Sequence, residues 1–553
     1  MYLYSYENLL EQSTTKKGRE YVEKVKACYE QNYQNKPITA LPFSKFKLFH
    51  LTGDRVSFES EYFDRRKRLM LLQVLAITDN KYLEPLEDVI SSICDEITWS
   101  LPAHCFDYET QTYKYWEIDL NASETSMALA ETLYVFGERL SPDIRKRIKY
   151  TIEEKIVKVY ERTVFGFDVM RNNWASVCSC GIGVTYLYLF PERFNLVKDR
   201  IFKAMERYLN KLDADGYCNE GFAYWVYGFG FFALFFDIYC QLTGERPAIL
   251  DSERVKNTVK YAENSILGDG VYVPISDGGV NKNYCECDCI PVINRMFNSN
   301  IQINGGKSSV PYFKAISLRR LYHANQIVNL EIKSGTTNFF ENSQVFIEKN
   351  KNYVFIAKGG NNAEMHNHND IGAFSIFRKG VQYIVDPGAG EYTNGYFNNM
   401  AIRYSKETFT CSGYGHSIPV IDGEVQVYGK EYYATIIDRD AKSITYDLVN
   451  AYPKKLDKLT VKYSLKENGV SVTYNVKGLK EQISFRFVSF IEPKIEKDCV
   501  RLGEMVVSSS VAVPATVENY EFSNHHAQKT KAYVTCFTVK GEKETCATFN
   551  FDF

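Results

Sequence analysis

Apolar residues recur at helical spacing through roughly the first three hundred residues and at a spacing of two through most of the rest. Glu61 to Thr78 carries Tyr62, Phe63, Leu69, Leu72 and Leu75 among charged positions, which predicts an amphipathic helix. Ser123 to Arg139 does the same with Met127, Leu129, Leu133 and Val135. Ser141-Pro142-Asp143-Ile144 reads as a helix start, with serine as the cap and proline in the first position. Val177 to Phe190 is small and apolar almost all round, which predicts an inner helix. Phe229 to Leu242 is a second, ending before Thr243-Gly244-Glu245. Some of these helices are apolar on every face and others on one only. Such a mixture predicts two concentric layers, a helical toroid rather than a simple bundle.

The texture changes near residue 330. From Asn338 onward polar and apolar positions alternate, first in Gln344–Lys349 and Tyr353–Lys358. Further runs lie at Gly372–Phe377, Gln382–Val385, Ala434–Ile437, Leu459–Ser464, Val470–Val476, Ile483–Phe490 and Ala532–Val539. Gly, Asn and Asp turns separate many of them, which predicts a sandwich of antiparallel sheets. The expectation is an α+β multidomain chain, with a helical domain over 1–330 and a β-sandwich over 331–553. The boundary falls between 315 and 340.

Composition narrows the class. At 553 residues the chain is too long for one ordinary core. Its net charge of -2 gives no global field that would attract nucleic acid. The 41 Tyr and 36 Phe include rings that could stack on sugars, although most rings in a core do no such thing. Of the 14 Cys, five fall in close groups, Cys178 with Cys180 and Cys285 with Cys287 and Cys289, too near in sequence to bridge one another readily. The first residues show no secretory signal pattern, so reduced thiols and a cytoplasmic location are expected. The run at 285–289 could bind a soft metal but lacks the usual C-x-x-C spacing. No run of about eighteen apolar residues is expected, hence no membrane span.

Three constellations could carry chemistry. The first is Arg171-Asn172-Asn173-Trp174, where paired amides open an apolar helix and could hold a sugar carboxylate; one of them could instead only cap the helix. The second runs from Asp213 to Gly228 and contains Glu220, Tyr224, Trp225 and Tyr227 beyond an Asp-Gly turn. In a helix Tyr224 and Tyr227 share a face, so a polar pocket with stacking walls competes with an aromatic inner helix. The third is His366-Asn367-His368-Asn369-Asp370, followed by Asp386-Pro387-Gly388 and His416, in a chain with only 8 His. On a strand His366 and His368 would share one face. His368, Asp386 and His416 offer a nitrogen, oxygen, nitrogen set suited to zinc. The competing reading is a set of hydrogen-bonded strand histidines.

Together these motifs resemble the heparinase II/III family of polysaccharide lyases over most of the chain. Tyr62-Phe63-Asp64-Arg65-Arg66, Trp99-Ser100-Leu101-Pro102-Ala103-His104 and Ile118-Asp119-Leu120-Asn121-Ala122-Ser123-Glu124-Thr125 belong to the same pattern. The H-x-H-x-D element followed by a strand and D-P-G is the most specific part. The resemblance implies an incomplete (α/α) toroid before an antiparallel β-sandwich, with substrate in the cleft between them. It implies cleavage of uronic-acid polysaccharides, such as heparan sulfate, other glycosaminoglycans or alginate, by β-elimination. It also implies one structural zinc on His368, Asp386 and His416.

Asn173 matches the residue that neutralises the uronate carboxylate. Tyr227, or Tyr224 one turn earlier, matches the catalytic tyrosine, and His366 matches the histidine from the sandwich. Asn172, Trp174, Glu220, Trp225 and Arg403 are the expected substrate-binding set. An acidic glycan is the expected partner, with neither nucleic acid nor membrane; a homodimer is compatible with the family. The C5 proton is too weakly acidic to remove until the carboxylate charge is neutralised. A phenol lowered by nearby cations could then take it. The alternatives are an (α/α) glycoside hydrolase using Asp213, Asp215 and Glu220, a non-catalytic glycan-binding protein, and a metal-dependent hydrolase. The last lacks an H-E-x-x-H element.

Overall fold

The computed structural model describes residues 2–268, 271–278, 289–301, 317–326, 335–393, 396, 399–453, 456–524, 528–541 and 544–553. The chain divides into two compact units. The first comprises Met1–Lys211, Val226–Val259 and Glu286–Leu330; the second comprises Leu212–Trp225, Lys260–Cys285 and Glu331–Phe553.

The first unit is helical. Val56–Thr78, Leu83–Cys94, Leu120–Phe136, Pro142–Ile152, Asn173–Leu189 and Lys198–Leu209 are its longer helices after residue 50. Asn173–Leu189 is buried on nearly every face, as its all-round apolar sequence predicts, whereas Leu120–Phe136, expected to be amphipathic, is buried almost all round with its Asn121, Glu124 and Glu131 inside. Their close approach depends on Gly181, where a Cβ would lie 2.4 Å from Ser123 O. Lys198–Leu209 buries only Ile201, Ala204, Met205, Tyr208 and Leu209, one stripe at helical spacing. Ser141 does occupy the cap position before Pro142, but its side chain makes no capping bond; its backbone N–H instead donates to Glu87.

Phe222–Thr243 corrects one expectation. By length and composition it is apolar enough to cross a membrane, yet 89% of its most apolar window is buried inside the protein. It is a core helix whose glycines admit neighbours closely. The run Cys285–Cys289 lies mostly outside the described residues. Cys289 is buried and its thiol donates to Val226 O at 3.7 Å. No two described cysteines are joined by a disulfide.

The second unit is built on antiparallel sheets. Thr336–Phe340, Val345–Lys349, Val354–Lys358, Phe374–Arg378 and Val381–Ile384 form a five-stranded sheet in that spatial order. An eight-stranded sheet centres on Lys458–Lys466, Gly469–Lys477 and Glu544–Asp552. A four-stranded one centres on Gln482–Ser489 and Lys529–Lys540. Burial alternates along Gly469–Lys477 and Glu544–Asp552, the signature of one face against a core. Phe355, Phe374, Tyr463, Phe485, Phe487 and Phe549 meet there; Phe487 and Phe549 lie 4.9 Å apart between ring centres. The pairing of Val381–Ile384 slips between Gln382 and Ile384, which re-aims the chain just before Asp386.

Candidate functional sites in the two units

In the helical unit Asp119 caps Leu120–Phe136 by accepting from Ala122 N–H at 2.7 Å. The same carboxylate accepts from Leu101 N–H at 3.1 Å and lies 2.7 Å from His104 Nδ1. The His104 ring packs edge-on against half-buried Trp174, 4.9 Å between centres. Asn172 is the cap of Asn173–Leu189, its Oδ1 accepting from Trp174 N–H at 3.2 Å. The amide expected to bind substrate is therefore committed to the helix start, and Asn173, buried in the first turn, is the other of the pair.

Ser176 donates to Gly228 O at 2.7 Å, which sets this first turn against the turn that carries Tyr227. The Tyr227 hydroxyl donates to Glu124 Oε1 at 2.6 Å. Glu124 is buried and stands one turn into the helix capped by Asp119. Burial and the Glu124 carboxylate push the Tyr227 phenol well above its usual range. That corrects the expectation of a phenol lowered by cations: the neighbour is an anion, so the group is a held phenol and not a ready phenolate.

In the second unit the histidine cluster is not a strand. His366 has φ +55, in the left-handed region, and the residues around it form turns. The shared face expected of a strand is replaced by a shared partner, Asp277. His366 Nδ1 lies 2.5 Å from Asp277 Oδ2, and His368 Nε2 lies 3.1 Å from Oδ1. Tyr392 donates to Oδ2 at 2.8 Å and Tyr396 to Oδ1 at 2.6 Å. Burial alone would raise this carboxyl, but the two histidines outweigh it and hold it well below the carboxylate range. On its other side His366 Nε2 lies 3.2 Å from the buried Glu220.

Tyr224 belongs to the same group. Its ring lies 4.3 Å from that of His366, and its hydroxyl meets Tyr392 OH at 2.8 Å. Because Tyr392 donates onward to Asp277, Tyr224 is the donor of that pair. Arg403 lies over the rings of Tyr396 and Tyr404, at 4.6 and 5.4 Å. Its Nε and one terminal nitrogen are buried without a hydrogen-bond acceptor. Trp225 departs from expectation: it is fully buried and stacks 5.6 Å from Phe222, so it offers no face to a sugar. At i and i+3 these two rings point into the core together.

Among the described residues two buried triads could hold a metal ion, His368 with Asp386 and His416, and Asp277 with His368 and Cys411. The donor atoms distinguish them. His416 Nε2 pairs with Thr410 O at 2.9 Å and His368 Nε2 with Asp277, which leaves Nδ1 of both rings buried without a hydrogen-bond partner. One ring nitrogen of each histidine and an Asp386 carboxylate oxygen lie within 4.8 Å of one another, and His416 Nδ1 is 3.7 Å from Asp386 Oδ2. Burial pushes Asp386 up to about 7 and His416 down to about 3, so a cation would supply the charge this site lacks. In the second triad Asp277 is already occupied by four donors and Cys411 donates to Tyr396 OH at 3.1 Å. The residues therefore fit a metal on His368, Asp386 and His416.

No family model matches the sequence, and no curated protein matches it. Solved structures do. A mutant of the heparan sulfate lyase HepC from Pedobacter heparinus matches at TM-score 0.61 and 14% identity, over 99% of this chain and 88% of that one. Heparinase III matches at 0.63 and 13%, over 96% and 91%. The chondroitin AC lyase of Streptomyces coelicolor A3, in complex with chondroitin sulphate, matches at 0.56 and 9%, over 99% and 82%. The chain has a heparinase II/III-like polysaccharide lyase fold, with the helical toroid first and the antiparallel sandwich after it.

Proposed function

We propose that the protein is a lyase that cleaves uronic-acid-containing glycans by β-elimination. The observation that carries this reading is the hydrogen bond from Tyr227 to the buried Glu124, on the turn packed against Asn173. In the reaction the C5 proton leaves, its electron pair forms the C4–C5 double bond, the C4–O4 bond breaks and O4 gains a proton. Asn173 hydrogen-bonds the C6 carboxylate and stabilises the charge that develops there. Tyr227 takes the C5 proton while its own hydroxyl proton passes to Glu124, so no free phenolate is needed. His366, between Glu220 and Asp277, acts as the imidazolium: it keeps Nδ1–H on Asp277 and gives its Nε2 proton to O4.

Zinc is the metal we assign to His368, Asp386 and His416, and its role is structural. The three side chains are almost entirely buried, so the ion would order the chain around His366 and not meet substrate. Substrate chemistry follows the relatives of like fold: heparan sulfate, chondroitin sulphate and other acidic polymers, with Arg403 a candidate for an acidic group. A hydrolase on Asp213 and Asp215 is less well supported. Asp213 accepts from Ser343 at 2.8 Å and Asp215 from Tyr217 N–H at 3.1 Å, bonds that organise the turn. The test is a panel of uronate polymers and short oligomers, read by the ultraviolet absorbance of the new double bond. The reading expects at least one polymer to yield it; cleavage of the panel without that absorbance would refute elimination.

A further inference from the structure

Asp277 stands in the short turn Ser276–Gly278, which the chain holds tightly. Ser276 is buried at φ +57, and its hydroxyl donates to Asn219 O at 2.9 Å. Tyr272 donates to Gly278 O at 3.0 Å. Gly221, at φ +96, admits the turn: a Cβ there would lie 2.5 Å from Ile275 O and 2.9 Å from Gly278 Cα. The turn is thus fixed against Glu220-Gly221, and so is the carboxylate.

A carboxylate offers about four acceptor positions. The donors to Oδ1 are His368 and Tyr396, and those to Oδ2 are His366 and Tyr392. We propose that Asp277 is a positioning residue that fixes both histidines of the H-x-H element at once, linking the metal ligand His368 to the reacting His366. Accepting from His368 Nε2–H leaves Nδ1 as the ligand atom, and accepting from His366 Nδ1–H sets Nε2 toward Glu220, 3.2 Å away. Both rings are then set by one rigid anion, 89 and 91 residues away along the chain. Asparagine cannot replace it, because its amide N–H₂ would face a donor. The inference rests on the lyase reading for His366 and on the metal assignment for His368.

The experiment is Asp277→Asn in the full chain. Zinc affinity, measured by competition with a chelator, should fall roughly 10–100-fold, the usual effect of losing a carboxylate behind a metal-bound histidine. The kcat on a polymer the wild type cleaves should fall over a similar range with little change in KM. Placed on His366→Ala, Asp277→Asn should lower the residual kcat no further yet still weaken zinc binding. A merely structural role would lower both rates independently. Unchanged zinc affinity together with unchanged kcat would overturn the proposal. Should the variant not fold, nitrogen–proton correlation spectra of the zinc-loaded wild type decide instead. They should place a proton on Nε2 of His368 and Nδ1 of His366, and the opposite tautomers would overturn it. If the wild type cleaves no uronate, the lyase reading fails, while zinc affinity and the spectra still decide for or against Asp277.

Discussion

Each unit holds a buried carboxylate against the residues that matter, and the two do different things. Glu124, in the helical unit, accepts directly from the hydroxyl of Tyr227, the group assigned to move a proton. Asp277, in the sheet-built unit, accepts from two imidazoles and two phenols. A carboxylate with its acceptor positions filled and its pKa depressed is a poor proton acceptor and a good clamp. A carboxylate that accepts from a reacting phenol can take the proton that the phenol gives up. The comparison separates a proton relay from a scaffold. It also separates the two candidate tyrosines, since Tyr227 donates to a carboxylate and Tyr224 to another phenol.

The largest effect should come from Tyr227→Phe, which keeps the ring and removes the hydroxyl. Proton-transfer groups contribute roughly 10²–10⁴-fold, so kcat should fall by about that much with little change in oligosaccharide affinity. Tyr224→Phe should be milder; the reverse order would move the relay one helical turn. Glu124→Gln tests the relay itself. It keeps a hydrogen-bond partner for Tyr227 but cannot take a proton, and kcat should fall roughly 10²-fold. A rate within a factor of about two of wild type would reduce Glu124 to a scaffold like Asp277.

His416→Ala should abolish stoichiometric zinc, seen by elemental analysis, and lower the melting temperature more than it lowers activity per folded molecule. An unchanged melt with lost activity would make the metal catalytic. The smallest effect concerns a buried charge without a clamp. Lys349 is buried with Ile266 O at 2.5 Å as its hydrogen-bond acceptor, and burial lowers it to about 8. Because the folded value lies below the unfolded one, the unfolded chain binds more protons between those values. Stability should therefore rise with pH above about 8 and carry the full penalty below it. Lys349→Met should stabilise the protein by up to ~3 kcal/mol at pH 7, with the gain shrinking toward pH 10 in thermal melts. A pH-independent gain would mean that burial does not lower the lysine's pKa in the native state.

Local signals carried most of the fold. The runs at Val345–Lys349 and Val354–Lys358 are strands because alternation puts one face on the core, and helical spacing marks Val56–Thr78 and Asn173–Leu189. His368, Asp386 and His416 were legible as a ligand set because histidine is scarce. Asp277 was not, since its partners lie 89 to 119 residues away and one aspartate before a glycine reads as a turn. Glu124 is 103 residues from Tyr227 and sits in a helix whose apolar neighbours dominate the pattern. Polar pairs across such separations leave no periodic trace. Trp225 misled for a related reason: an aromatic residue beside two tyrosines looks like a sugar platform, but its i, i+3 relation to Phe222 turns it into the core.

The central claim is elimination, and the most direct measurement follows the oxygen of water. Wild-type protein is incubated with a cleaved uronate polymer in water labelled with heavy oxygen, and the products are weighed by mass spectrometry. Elimination adds no water, so every new chain end should be unlabelled and the uronide fragment lighter by one water than its hydrolytic counterpart. Heavy oxygen at a newly formed reducing end would contradict the account and make the protein a hydrolase on a lyase fold.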